Sequence, residues 1–595
     1  MAAVVWLKRD LRLADHAALA AAAGGGLPTV VLYCYEPSMV QATDFSHCHL
    51  QFINESLEEL SEGLQKLGGS LVVRHGQITE VLAALAAELA PVGGIAQLLS
   101  HQETGTPATI ARNAAVAQWA QQQGMDWQEL PQTGVVRNLA SRDGWAKQWT
   151  AFMEQPLLPA PTRLKFAGGL DAGQLLSADE LGVAGDPKPE AMKGGERRAR
   201  ELLDSFLGGR AAGYSTNMSS PVTAWEGCSR LSPYLAWGCI SLREVYQRTK
   251  AAADVLRAAK AGSKGSKGSG SRGSKGSGKQ QQAKAGGGKR QRRGKRQQSD
   301  EEEEEEGEDI DAEQTEEAEA DGEEAAAAGA EGQAAASSAS GGASTVGLKD
   351  LAAFTARLRW RSHFMQKLED EPGLVAVNMC RAYDGARNEE APHDTALFEA
   401  WCTGRTGYPM VDAVVRCLLQ GGWVNFRMRA MIFSFASYNL WLHWRFTADF
   451  MAGHFLDYEP GIHYPQAQMQ AGTTGINTFR VYSPTKQVQD QDPEGVFIRK
   501  YVPELARVPK QHLAEPWKMP LAAQQAAGCI IGRDYPAPVV QPDSGRQNCR
   551  QLYAIKASLK AKEQAAKVYS KHGSRKKPNP LGKRKAAAAA AGGAG

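Results

Sequence analysis

Over the first 140 residues, short runs of Val, Leu and Ile alternate with longer stretches whose apolar residues recur at helical spacing. No other feature restricts the fold as strongly. Val4–Leu7, Thr29–Tyr35, Leu71–Arg74 and Ile95–Ser100 read as strands, and His49–Leu67, Gln77–Leu89 and Thr109–Gln122 read as helices between them. Strands joined through helices pair in parallel, because the crossover brings the chain back to the same end of the sheet. Residues 1–140 are therefore expected to form a doubly wound, Rossmann-like α/β domain. Residues 141–195, heavy in Pro and Gly after Leu158, read as an interdomain linker.

From Glu196 onward the strand signal disappears. Glu196–Phe206, Pro233–Lys250, Leu348–Asp370, Thr395–Trp401, Tyr408–Leu419, Asn425–Trp444 and Phe446–Phe455 all carry helical patterns. An all-α domain over 196–250 and 348–555 follows. Its interruption, 251–347, runs from Gly/Ser/Lys repeats through a basic stretch into an acidic one and offers few large apolar side chains. Such a segment cannot offset its ordering entropy and is expected to be disordered, as is the basic tail 556–595.

Charge has to be mapped before it means anything. The chain totals +3, but the insert carries 14 basic and 19 acidic residues and the tail 11 basic and one acidic. The remaining body is close to neutral, so any site for a polyanion must be a local patch. No apolar run is long enough to cross a membrane, and neither a secretory signal nor a clear transit peptide is expected. Nine scattered cysteines without a CxxC pair point to reduced thiols and against a zinc or iron–sulfur site, which suits a nuclear or cytoplasmic protein. The basic clusters Lys289–Arg296 and Arg575–Lys585 read either as nuclear import signals or as solvated spacers.

Four stretches carry candidate chemistry. Tyr214 and the run Ser229, Arg230, Leu231, Ser232 place hydroxyls and a guanidinium just before a helix led by Pro233, the arrangement of an anion site and equally of an ordinary capped helix. Trp360 between Arg359 and Arg361 offers a stacking ring flanked by phosphate-binding cations. Arg427 and Arg429 diverge on a helix, and whichever is buried needs a carboxylate, which Asp457 or Glu459 can supply.

Taken together, WLKRDLRLADHAAL, SRLSPYLAWGCISLREV, WCTGRTGYPMVDAVVR, GWVNFRMR and FRVYSPTKQ with DPEGVFIRKYVPEL resemble, in order, the photolyase/cryptochrome superfamily, over nearly everything but the insert and the tail. The resemblance implies an antenna-type α/β domain and a helical domain holding one FAD, folded into a U beside a cavity that faces DNA. It also implies that Tyr214, Ser229, Arg230, Leu231 and Ser232 hold the FAD phosphates and ribityl chain. Arg361 would line the same site, and Arg429 would pair with Asp457 at the flavin edge, with Glu459 in place of a second Asp. Trp360 would stack a flipped base, and Arg427 and Gln487 would face DNA. A second, antenna chromophore fits the family, but its residues are not assignable here; Glu103 merely lies in a suitable loop.

The departures from the family pattern matter as much. Arg357 stands where dimer-repairing photolyases carry a lesion-contacting Glu; Phe426 and Ala430 replace their Asn and Met, and Gln470 their second stacking Trp. His463 aligns with the residue facing flavin N5, where an imidazole of ordinary pKa could deliver a proton; the other reading is a hydrogen-bonded loop histidine. Of the electron-relay tryptophans only the middle one, Trp444, remains; Gln468 and Ala391 replace the others, leaving Trp441, Tyr438, Tyr464 and Tyr482 as alternative hops. Three readings follow: a blue-light receptor that retains DNA binding and signals to a protein partner, a photolyase repairing pyrimidine dimers, or a light-independent binding module with structural FAD. Oligomeric state is not legible.

Overall fold

A computed structural model of the chain describes residues 1–266 and 345–573, with side chains for 1–261 and 345–573. Both basic clusters and the acidic run of the insert lie outside the described residues.

The N-terminal part is a five-stranded parallel sheet in the order β3-β2-β1-β4-β5, comprising β1 (Ala2–Leu7), β2 (Thr29–Tyr35), β3 (Leu71–His75), β4 (Ile95–His101) and β5 (Asp126–Leu130). Val4 of β1 sits opposite Val30 on one side and Leu98 on the other. Every residue of β1 is buried, as befits a central parallel strand covered on both faces. The four expected strands are present. The fifth, DWQEL, is a polar edge strand without an apolar run, and so escaped the sequence reading. The helix Ala17–Gly25 escaped it as well, because a nearly all-Ala segment has no amphipathic period. The strand order reverses between β1 and β4, which leaves a crevice at their carboxyl ends, where Lys8, Arg9, Gln102 and Glu103 follow.

The segment read as a linker does more than connect. It begins with the helix Trp145–Met153, and its Trp145 indole N–H donates to Gln366 Oε1 at 3.1 Å. Further on, buried Lys188 donates to the Leu418 and Leu419 carbonyls at 3.1 and 2.8 Å, closing the C-terminus of the helix Pro409–Gly421.

After Glu196 the described residues are helical, as expected, but the helix boundaries differ. The pattern over Pro233–Lys250 divides into Ser232–Ala236 and a helix starting at Leu242. Between them Gly238 lies at φ +70°, where a Cβ would sit 2.2 Å from the Arg9 carbonyl oxygen. The Gly238 carbonyl accepts from Arg12 at 2.9 Å, so this glycine sets how closely the helical part approaches β1. Asn425–Trp444 is likewise not one helix: Phe426–Ser434 passes into a wider π turn over Phe435–Asn439, and Trp441 then adopts φ +56°, stopping the run before Trp444–Ala452.

Helix Pro460–Ala471 was hidden by its internal Pro465. It crosses the helix Leu348–Asp370 at Gly461, where a Cβ would lie 2.8 Å from the Met365 Cα.

Two expectations of disorder need correcting. The helix from Leu242 continues to Ser266, carried into the insert by the Ala-rich AAADVLRAAKA. The tail opens with helical residues, Ser544–Ala557 and then Leu559–His572. In the second of these, Ala561, Val568 and His572 form a buried stripe that the abundant lysines masked, and Lys571 and His572 both bind Glu371, at 2.8 and 2.9 Å.

Candidate functional site

One stripe of the helix Leu348–Asp370, residues 350, 354, 357 and 361, builds the site. Asp350 accepts from the Gly213 N–H (3.2 Å), the Ser215 N–H (3.2 Å) and the Ser215 hydroxyl (3.1 Å), fixing the turn that presents Tyr214. Phe354 packs edge-on against Tyr214 and tilted against Phe206. Burial holds the Tyr214 phenol neutral, well above its ordinary range.

The Ser229–Ser232 run faces the same region, but not as a capped helix. Leu231, not a hydroxyl residue, precedes the five-residue helix Ser232–Ala236, and Pro233 is its second residue. Ser229 Oγ accepts the Leu231 N–H at 3.4 Å, and Ser232 Oγ accepts the Trp423 indole N–H at 3.2 Å. Arg230 lies at φ +60° with its guanidinium over the Trp225 ring, and its buried Nε has no partner. Ser229 therefore lies on an irregular loop and Ser232 opens the short helix, with neither hydroxyl capping it.

Two ion pairs follow, one buried and one partly open at its arginine. Arg361 donates to Glu459 Oε2 and to the Leu235 carbonyl, both at 3.0 Å. Arg429 donates to Asp457 Oδ2 at 2.8 Å, to the Val424 carbonyl at 2.9 Å, and lies 4.1 Å over the Phe455 ring. Thus Asp457 pairs with half-buried Arg429, while Glu459 serves Arg361. Asp457 Oδ1 is buried without a partner. Orphaned polar atoms at Arg230 and Asp457, with hydroxyl lone pairs of Ser229 and Ser232 in the same helical part, fit a ligand carrying both phosphates and ring N–H groups. FAD is such a ligand.

His463 does not match its expected role. Its Nε2–H donates to the Ala448 carbonyl at 2.8 Å, and Phe433, Phe455, Tyr458 and Tyr464 enclose the ring. Burial pulls its pKa down to about 4, so at neutral pH it is an uncharged imidazole whose proton is already engaged.

Gln468, which the resemblance aligns with the inner relay tryptophan, is a fully buried staple. Its Oε1 accepts the Met379 N–H, and its Nε2 donates to the Leu374 and Val377 carbonyls at 2.8 and 2.9 Å. Trp444 is fully buried, donates to Asn378 Oδ1 at 2.7 Å, and has the Tyr464 ring 6.3 Å away. Ala391 is exposed. The motif Gly404–Ala413 turns out to be architectural: buried Asp412 accepts from Thr406 (2.7 and 2.6 Å), Gly407 (3.1 Å) and Tyr535 (2.6 Å).

Among the residues assigned to DNA, Trp360 is half-buried beside Phe364, and Arg357 lies 5.0 Å over its ring. Gln487 is buried with an unpartnered Oε1, and Arg427 is half-buried at the start of the helix Phe426–Ser434. Sequence reasoning missed Asp350 and Phe354, although their spacing of seven and three residues before Arg357 was a readable signal.

At the sheet crevice, Arg112 bridges Glu36 (3.1 Å) and Glu103 while lying 5.0 Å over the Trp6 ring, so Glu103 is already ion-paired. Behind it Asp10, His16 and His101 have the spacing of metal ligands. His16 Nδ1 and His101 Nε2, however, accept the Leu19 and Ala17 N–H groups at 3.1 and 3.2 Å, which puts both ring protons on the nitrogens facing Asp10. The cluster clamps the start of the helix Ala17–Gly25; a metal would have to displace both protons.

Residues 3–145 match the family model for DNA photolyase, and residues 354–555 match that for the FAD binding domain of DNA photolyase. A cryptochrome DASH from Gloeobacter violaceus is 25% identical over 578 residues, covering 90% of this chain and 92% of the relative. A deoxyribodipyrimidine photo-lyase from Agrobacterium fabrum is 24% identical over 573 residues, covering 93% and 97%. The crystal structure of a class III photolyase from Agrobacterium tumefaciens superposes with a TM-score of 0.69 at 22% identity, over 94% of this chain and 98% of that one, and so shares the fold. With a parallel-sheet domain, a helical domain and an FAD-binding site in that order, the chain belongs to the photolyase/cryptochrome superfamily.

Proposed function

We propose that this chain is an FAD-dependent, blue-light-driven photoreceptor resembling cryptochromes, which retains the capacity to bind DNA. In this reading Tyr214, Ser229, Arg230, Leu231 and Ser232 hold the FAD phosphates and ribityl chain, and the Arg361–Glu459 pair closes the same cavity. The Arg429–Asp457 pair sits at the flavin edge, where Asp457 Oδ1 accepts a ring N–H. FAD supplies the light absorption and the electron chemistry. Trp360, Arg427 and Gln487 face DNA, and a protein partner reads the output.

One observation carries the choice of receptor over repair: the Arg357 guanidinium lies 5.0 Å over Trp360 and 5.3 Å over Phe426. A cation thus covers the ring on which a flipped dimer would stack, where repair enzymes of the family place a carboxylate. The repair reading keeps support from the partly open Trp360 and from the unpartnered Gln487 oxygen. A structural role for FAD draws on the interruption of the electron relay by Gln468.

The test is illumination of the chain, loaded with chemically reduced FAD, together with oligonucleotides carrying a defined pyrimidine dimer. Reduction by dithionite removes the relay from the question. The expected outcome is no restored base, with photoreduction of the oxidised protein; restored bases would make it a photolyase. Absence of photoreduction would favour structural FAD.

A further inference from the structure

Arg357 is a guanidinium without a counter-charge. Among the described residues its side chain makes no hydrogen bond or ion pair, only its contacts with Trp360 and Phe426. The groups whose charge reaches it are Tyr214 and Cys228, and burial keeps both neutral, the thiol at about 12. Arg210 and Arg230 crowd the same Cys228. Arg210 is satisfied by the Leu202, Glu226 and Cys228 carbonyls, and Glu226 is the one carboxylate acting on Arg210 and Arg230. Among the described residues no carboxylate acts on Arg357, and burial lowers its pKa. Arg357 is half-buried in a cationic corner, where a bound anion is favoured electrostatically.

We infer that Arg357 is a phosphate ligand, and that the phosphate it takes is the diphosphate of bound FAD. A guanidinium matches a phosphate bidentately, and Arg357 is carried on the same helical stripe as Asp350 and Phe354, which position Tyr214. The assignment rests on the proposed FAD site at Tyr214 and Ser229–Ser232. It turns a departure from the family's lesion contacts into a cofactor contact. A DNA phosphodiester offers the same chemistry from a second source.

The experiment compares wild type with Arg357→Gln and Arg357→Lys in three measurements: FAD affinity of the apoprotein by flavin fluorescence, melting of apo and FAD-loaded protein, and the salt dependence of binding to a single-stranded oligonucleotide. Arg357→Gln should weaken FAD about tenfold or more, with Arg357→Lys recovering part of the loss. The apo form of Arg357→Gln should melt no lower than wild type, since the substitution removes an uncompensated cation. Unchanged FAD affinity with a log–log salt slope reduced by about 0.7 would assign the phosphate to DNA and overturn the FAD assignment. If neither quantity changes, or if only apo melting falls, the phosphate role is overturned and Arg357 is packing alone. A wild-type chain that takes up no FAD would overturn the reading of the site itself.

Discussion

Gln468 accepts the Met379 N–H through Oε1 at 2.6 Å, and this bond, with the two its Nε2 donates, ties the segment 374–379 to the helix Pro460–Ala471. The residue aligned with the inner relay tryptophan is thus a structural bracket. An indole can make at most one of these bonds, and its ring would have to displace the segment. Gln468→Trp should therefore lower stability by roughly 2–3 kcal/mol or more, from two or three buried backbone groups left without partners. It should not accelerate photoreduction. Urea titration and the rate of flavin reduction under blue light check both; faster reduction in a stably folded variant would restore position 468 as a hop.

Electron transfer into the site has another route available. Trp444 and Tyr464 have ring centroids 6.3 Å apart, and Tyr458 lies a further 6.3 Å on, next to Asp457. Tyr464→Phe should slow photoreduction several-fold while leaving the flavin absorption spectrum in place. An unchanged rate would exclude Tyr464 from the path.

The Arg361–Glu459 pair is buried, so removing one partner strands the other. Glu459→Ala should cost about 3–5 kcal/mol in chemical denaturation, whereas a double replacement by methionines should regain most of that loss. If the single variant is nearly neutral, solvent reaches the pair and the site is more open than its geometry indicates.

Acid should destabilise the fold through its buried histidines. Burial holds His463, His49 and His443 at about 4, below the usual value of 6.5. Between these values the unfolded chain binds more protons than the folded one, so stability is complete above about pH 6.5 and declines as pH falls toward 4. For His463 the decline amounts to on the order of 3 kcal/mol. His463→Asn should flatten the dependence of unfolding free energy on pH in that window; an unchanged slope would mean that His463 titrates normally.

Gly461 sets the distance between two helices. Its substitution by Ala drives a methyl against the Met365 backbone, 2.8 Å from Cα, and should cost about 1–3 kcal/mol and weaken FAD retention, because Arg361 and Glu459 flank that crossing. Thermal melting and flavin content after gel filtration measure the two effects.

The sequence by itself determined the parallel sheet, through the β-branched runs at 4–7, 29–35, 71–74 and 95–100, and the helical half that follows. It also determined that whichever of Arg427 and Arg429 turns inward needs a carboxylate, with Asp457 and Glu459 as the candidates. Local periodicity reports which face of an element is apolar. It does not report what that face meets. Only the tertiary structure decided that Glu459 belongs to Arg361, that neither Ser229 nor Ser232 caps the helix that Ser232 opens, and that Gln468 is a bracket. Trp441 at φ +56° and Gly238 against the Arg9 carbonyl broke helices whose sequence patterns ran straight through them. His463 reads as a titrating group until four aromatic rings enclose it, because a pKa belongs to an environment assembled from residues far apart in the chain.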